Sequence, residues 1–69
     1  MPAGVVATFD ERRGIGTVRV DATEYSFHCT RIADGSRTVA TDAPVRFRLV
    51  PGPLGALEAT AIAVIPAPS

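Results

Sequence analysis

Three six-residue runs constrain this chain more than anything else in it. Residues 15–20 (IGTVRV), 24–29 (EYSFHC) and 45–50 (VRFRLV) set apolar side chains at every second position. Neighbouring side chains on a strand point to opposite faces, so this period predicts strands with one buried side. No 3.6-residue period survives beyond a turn. Two further strands are expected at residues 4–9, around the β-formers Val5 and Val6, and at residues 57–65. Turn formers separate the runs: Asp10-Glu11-Arg12-Arg13-Gly14, Asp21-Ala22-Thr23 and Pro51-Gly52-Pro53-Leu54-Gly55. The fifteen residues TRIADGSRTVATDAP, 30–44, form the one long connection. A loop of that length in so small a unit is usually functional or holds a short turn of helix.

The chain has 69 residues, one cysteine and one histidine. Neither an internal disulfide nor a Cys/His metal staple is available, and no cofactor is implied. Stability must come from an apolar core, which the 46% hydrophobic content can supply. Five short strands in one sheet would leave two bare edges, and closure into a barrel removes them. An OB-fold and an SH3-like barrel both fit; the long connection between strands three and four favours the OB-fold. The expectation is an all-β, five-stranded antiparallel OB-fold barrel as a single domain of residues 1–65, with 66–69 as a frayed tail.

Seven arginines balance seven acids, and lysine is absent. A basic field that would steer the whole molecule onto phosphate is therefore missing, although arginine is well suited to grip phosphate locally. The N-terminal residues lack the basic patch of a secretory signal, and the apolar run AIAVI is too short to cross a bilayer. A cytoplasmic protein with a reduced Cys29 and no membrane partner is expected.

Alternation sorts the faces. Val18, Val20, Tyr25, Phe27, Cys29, Val45, Phe47 and Leu49 go inward. Ile15, Thr17, Arg19, Glu24, Ser26, His28, Arg46 and Arg48 go outward. Strand five is apolar on both parities and stays ambiguous. Phe9 is left as the one candidate exposed aromatic ring, with His28 as the other flat outward group. Glu24, Ser26 and His28 share a face, yet a flat strand offers no pocket and no oxyanion donors, so no catalytic residues and no enzyme are expected. His28 and Cys29 are adjacent and face opposite ways, which excludes them as a dyad.

With the faces sorted, the chain resembles the bacterial cold-shock protein family, whose fold is a five-stranded OB barrel. The family's opening Gly-x-Val-x-Trp-Phe-Asn strand corresponds to Gly4-Val5-Val6-Ala7-Thr8-Phe9-Asp10. Its Lys-Gly-Phe-Gly-Phe-Ile motif corresponds to Arg13-Gly14-Ile15-Gly16-Thr17-Val18, and its Val-Phe-Val-His-Phe motif to Tyr25-Ser26-Phe27-His28-Cys29. Thr30-Arg31-Ile32 is similar to its Ser-Ala-Ile turn and Val45-Arg46-Phe47 to its Val-x-Phe strand. Gly55 with Ala59-Thr60-Ala61-Ile62 resembles its closing segment. The likeness runs from about Pro2 to Ile65, carried by glycine spacing and core pattern.

Family members stack the bases of single-stranded DNA and RNA on exposed aromatics. Carried over position by position, that platform is depleted. The tryptophan site is Thr8, the first motif's two phenylalanine sites are Ile15 and Thr17, and the second's are Ser26 and Cys29. The long-loop aromatic falls at Ser36 or a neighbour, the first-strand lysine at Ala7 and a late arginine at Leu54. Phe9, His28 and the basic Arg13 remain. Each base–aromatic stack contributes about 1–3 kcal/mol, so the loss amounts to several decades of affinity. The resemblance thus implies a non-enzymatic module that contacts single-stranded DNA or RNA weakly through Thr8, Phe9, Arg13, Ile15, Thr17, Ser26 and His28. The alternative is a protein-interaction or homodimer module, with outward Ile15, Val50 and part of the 56–66 segment as its apolar patch.

Overall fold

Asp10 organises the first hairpin. In the computed structural model, which describes residues 2–53 and 55–66, its Oδ1 accepts the backbone N–H groups of Arg12 (3.0 Å) and Arg13 (3.2 Å). Its carbonyl accepts the N–H of Gly14 at 2.8 Å. An aspartate that bonds its own backbone two and three residues on is a common turn device. Gly14 takes a φ of +67°, and a Cβ there would stand 2.8 Å from Cys29 Sγ, so backbone and space both demand glycine.

The five expected strands form. They are β1 (Ala3–Asp10), β2 (Ile15–Val20), β3 (Thr23–His28), β4 (Pro44–Pro51) and β5 (Leu57–Val64). They close into a barrel in the order β1-β2-β3-β5-β4, with β4 returning to β1. This is an OB-like closed barrel, with one correction to the all-antiparallel expectation. β5 lies between β3 and β4 and runs parallel to β3, meeting it at Ser26↔Glu58. An isolated parallel bridge, Ile32↔Ile62, extends that seam. Parallel neighbours need a long crossover, and the stretch from residue 29 through β4 provides it.

Cys29 is a second correction. It leaves the strand and begins a 3₁₀ turn, Cys29–Arg31, with His28 as N-cap. The connection is thus less of a free loop than its composition implies. Ile32 and Val39 lie in the core with Val6, Val18, Phe27, Val45, Phe47, Ala59 and Ile62. Thr38 Oγ1 also donates to Glu11 Oε1 at 2.9 Å, tying the connection to the β1–β2 turn. The inward assignments hold for Val18, Phe27, Val45 and Phe47, while Val20, Tyr25, Cys29 and Leu49 are half-buried against the core.

The ambiguity of strand five has a physical origin. Arg46 pairs with Ala63 and Arg48 with Thr60, so Phe47 is opposed by two residues, Ala61 and Ile62. That is a β-bulge, and Ala61 occupies it with a φ of +53°. The extra residue shifts the period by one and lets both Ala59 and Ile62 point inward. A similar irregularity falls at Ala7, where the pairing of β1 with β2 shifts register between Val6 and Thr8.

Candidate nucleic-acid interface

The register places five of the seven expected site residues, Thr8, Ile15, Thr17, Ser26 and His28, on one surface. Thr8 faces Thr17, Thr17 faces Ser26, and Ser26 faces Glu58, making a polar row across four strands. Asp10, Ile15 and His28 form a second row beside it. Between them Phe9, Gly16 and Phe27 align on the opposite parity. One open groove is lined by all seven, Thr8, Phe9, Arg13, Ile15, Thr17, Ser26 and His28, together with Asp10, Gly16, Phe27 and Glu58. Each of the seven keeps some exposure to solvent. Ile15 is 44% exposed and supplies an apolar wall.

The polar row is internally bonded. Thr17 Oγ1 donates to Glu24 Oε1 at 2.8 Å. Its single proton being used there, the 2.9 Å contact between the Thr8 and Thr17 hydroxyls has Thr8 as donor. A hydroxyl relay, Thr8 to Thr17 to Glu24, therefore occupies the centre of the surface where the resemblance calls for rings. It is exposed, and its bonds compete with water, so each contributes about 1 kcal/mol or less.

Phe9 differs from expectation. It is half-buried, and its ring lies nearly parallel to that of Phe27, with centroids 5.9 Å apart and planes 7° apart. Its parity matches Gly16 and Phe27, which directs it toward the core and leaves it only partly available at the groove. Strand one looks regular in the sequence, and the irregularity at Ala7 that fixes this parity has no signature there.

His28 is outward and exposed, and its tautomer follows from its neighbours. The Thr30 N–H donates to Nδ1 at 3.3 Å, and the Thr30 hydroxyl stands 3.0 Å from the same atom. Nδ1 is an acceptor in this arrangement, so the neutral ring carries its proton on Nε2. Cys29 does not point away as a continuing strand would dictate. The 3₁₀ turn carries its Sγ to 3.8 Å from His28 Nδ1. The contact makes no base for a thiol, because that nitrogen's lone pair is already committed to Thr30.

Charge in the groove is mixed. Arg13 and His28 mark one end. Asp10 stands beside them, with its Oδ1 engaged by two backbone N–H groups. Glu58 lies past Ser26 at the other end. Glu58, Asp10 and Phe27 escaped the sequence-level site; alternation hid Glu58, because the parity of strand five could not be read. Ser36 lies outside the groove and bonds within its own loop, its N–H to Asp34 Oδ1 (2.9 Å) and its hydroxyl to the Thr38 carbonyl (2.9 Å). The backbone N–H of Ser36 and, after it, the Ser36 hydroxyl hold the Asp34 carboxyl pKa below its ordinary value. Leu54 and residues 67–69 of the expected tail lie outside the described residues. The described residues contain no group of three His, Cys, Asp or Glu placed to hold a metal, and no helix long and apolar enough to cross a membrane.

Leu57 and Val64 are exposed at the two ends of β5, roughly 20 Å apart along the strand, and Val50 is half-buried. Comparison with protein-family models and with curated proteins finds no match to this chain.

Proposed function

We propose that this chain is a non-enzymatic, cytoplasmic module of cold-shock type that holds single-stranded DNA or RNA weakly and with little sequence preference. The observation that carries the reading is the convergence of all seven candidate residues on one open groove. Phe9 and Ile15 supply its apolar wall, and Arg13 and His28 stand at one end, where a phosphate and a sugar edge would lie. A single partly available ring in place of a platform sets the strength. One stack contributes about 1–3 kcal/mol, well short of the roughly 8 kcal/mol of a micromolar complex, so binding through this groove is weak.

Fluorescence anisotropy with short DNA and RNA oligonucleotides tests it. Binding at low salt that weakens as salt rises, and that falls in Ile15→Asp, supports the reading. No binding at low salt rejects it.

Exposed Ile15, on a surface whose centre is a hydroxyl relay rather than a ring platform, favours a second reading: self-association through this face after loss of nucleic-acid binding. Size-exclusion of the free protein separates the two. A dimeric elution that Ile15→Asp converts to monomer supports the second.

A further inference from the structure

Two arginines outside the groove have no role in the reading above. Arg46 and Arg48 alternate along β4 with Val45 and Phe47, which are fully buried, so the core fixes both guanidinium groups on the outer face. Their cross-strand neighbours are small. Arg46 is flanked by Ala3 on β1 and Ala63 on β5, and Arg48 by Thr60 on β5. The nearest acid in the register is Glu58, diagonal to Arg48, and its carboxylate folds over Gly52 at the β4–β5 turn. Neither arginine side chain takes part in a side-chain hydrogen bond among the described residues.

Three of the seven acids belong to the groove. Asp10 and Glu58 line the groove, and Glu24 borders it. A molecule with no net charge thus carries a mixed groove on one flank and an outward arginine pair, with no acid directly opposite either member in the strand register, on another. The two flanks are contiguous. Ser26 on the groove row pairs with Glu58, and Glu58 pairs with Val50, two residues from Arg48. Neighbouring strands lie about 4.8 Å apart, so the path from Ser26 to Val50 is about 10 Å. Arg48 and Arg46 then follow, two residues apart, at a spacing of about 6.6 Å.

We propose that β4 is the phosphate-binding extension of the groove: a single strand seated at Ile15 and His28 leaves over β5 and lays successive backbone phosphates on Arg48 and Arg46. This rests on the nucleic-acid reading and adds a footprint to it. The groove supplies contact with one or two bases, while β4 supplies charge. Short oligonucleotides fill only the groove, and longer ones reach both.

Anisotropy titrations with a DNA tetranucleotide and a dodecanucleotide, from 50 to 200 mM salt, test the proposal. Each phosphate neutralised on a single strand adds about 0.7 to the slope of log K against log salt. For the dodecanucleotide, the double variant Arg46→Ala/Arg48→Ala should have a slope shallower by about 1.4. Over this fourfold salt range the wild type should lose about sevenfold more affinity than the variant. The tetranucleotide should show no difference, and Arg46→Lys/Arg48→Lys should keep the wild-type slope. Thermal melts confirm that the variants fold. Equal dodecanucleotide slopes for wild type and the alanine variant overturn the extension while leaving groove binding intact. No binding of either oligonucleotide by the wild type overturns the nucleic-acid reading and the extension with it.

Discussion

Phe9 and Phe27 lie nearly parallel across Gly16, which is the register partner of both, with ring centroids 5.9 Å apart. A ring that lines the groove is therefore also a structural lid on the core. Removing it and changing its shape should have different consequences. Phe9→Ala should lose about 2 kcal/mol of stability, less than a fully buried ring because Phe9 is half-exposed. Phe9→Leu keeps most of the apolar volume and should cost under about 1.5 kcal/mol, yet it removes the flat face a base would stack on. Urea unfolding read beside oligonucleotide anisotropy separates the roles. If Phe9→Leu binds as the wild type does, Phe9 is core alone.

The platform positions are outward, so rings can be returned to them. Ile15 and Thr17 stand on the groove face of β2, and neither side chain enters the core. Ile15→Phe should raise affinity for single-stranded DNA by about tenfold, the lower part of the range for one base–aromatic stack. Thr17→Phe should gain less, because it breaks the hydroxyl bonds to Thr8 and Glu24 and frees the carboxylate beside the ligand. An unchanged affinity for Ile15→Phe would show that the groove does not hold bases.

His28 caps the 3₁₀ turn with Nδ1, in the place usually held by a small oxygen acceptor. His28→Leu strands the Thr30 N–H and should cost about 1 kcal/mol in chemical denaturation. His28→Asn restores an acceptor at that position and should recover most of it. A cost shared equally by both variants would mean that the ring's packing, not the cap, matters.

Much of this barrel is legible in the sequence, and the parts that are not have specific causes. Alternation placed Val18 against Thr17 and Phe27 against Ser26 correctly, because β2 and β3 pair without interruption from Ile15↔His28 to Val20↔Thr23. The same rule overran at Cys29, which packs against the core from a 3₁₀ turn rather than from the strand. It was silent on β5, because the bulge at Ala61 adds a residue to the period. It also gives faces rather than neighbours, so nothing in it revealed that β5 runs parallel to β3. Ile32 and Val39 are single apolar residues on an irregular connection, and no period exists there to mark them as core. The groove's seven expected residues came from the resemblance and the outward parity together; Glu58 was lost with the parity of its strand.

Ala61 offers the test of that bulge. Its φ of +53° puts an L-residue where the Cβ crowds the backbone, at a cost of about 1–2 kcal/mol. Ala61→Gly relieves the crowding but makes the unfolded chain more flexible, which returns roughly 0.5–1 kcal/mol. The net expectation is a gain of about 0.5–1 kcal/mol, or roughly 2–8 °C in the melting temperature of a domain this size. Ala61→Val should move the other way and further, since a β-branched side chain tolerates positive φ least. Both are read by thermal unfolding followed by circular dichroism. The bulge is also what turns Ile62 and Ala59 inward together. If Ala61→Gly lowers the melting temperature, residue 61 does not hold a left-handed conformation in solution, and the inward placement of Ile62 would need another cause.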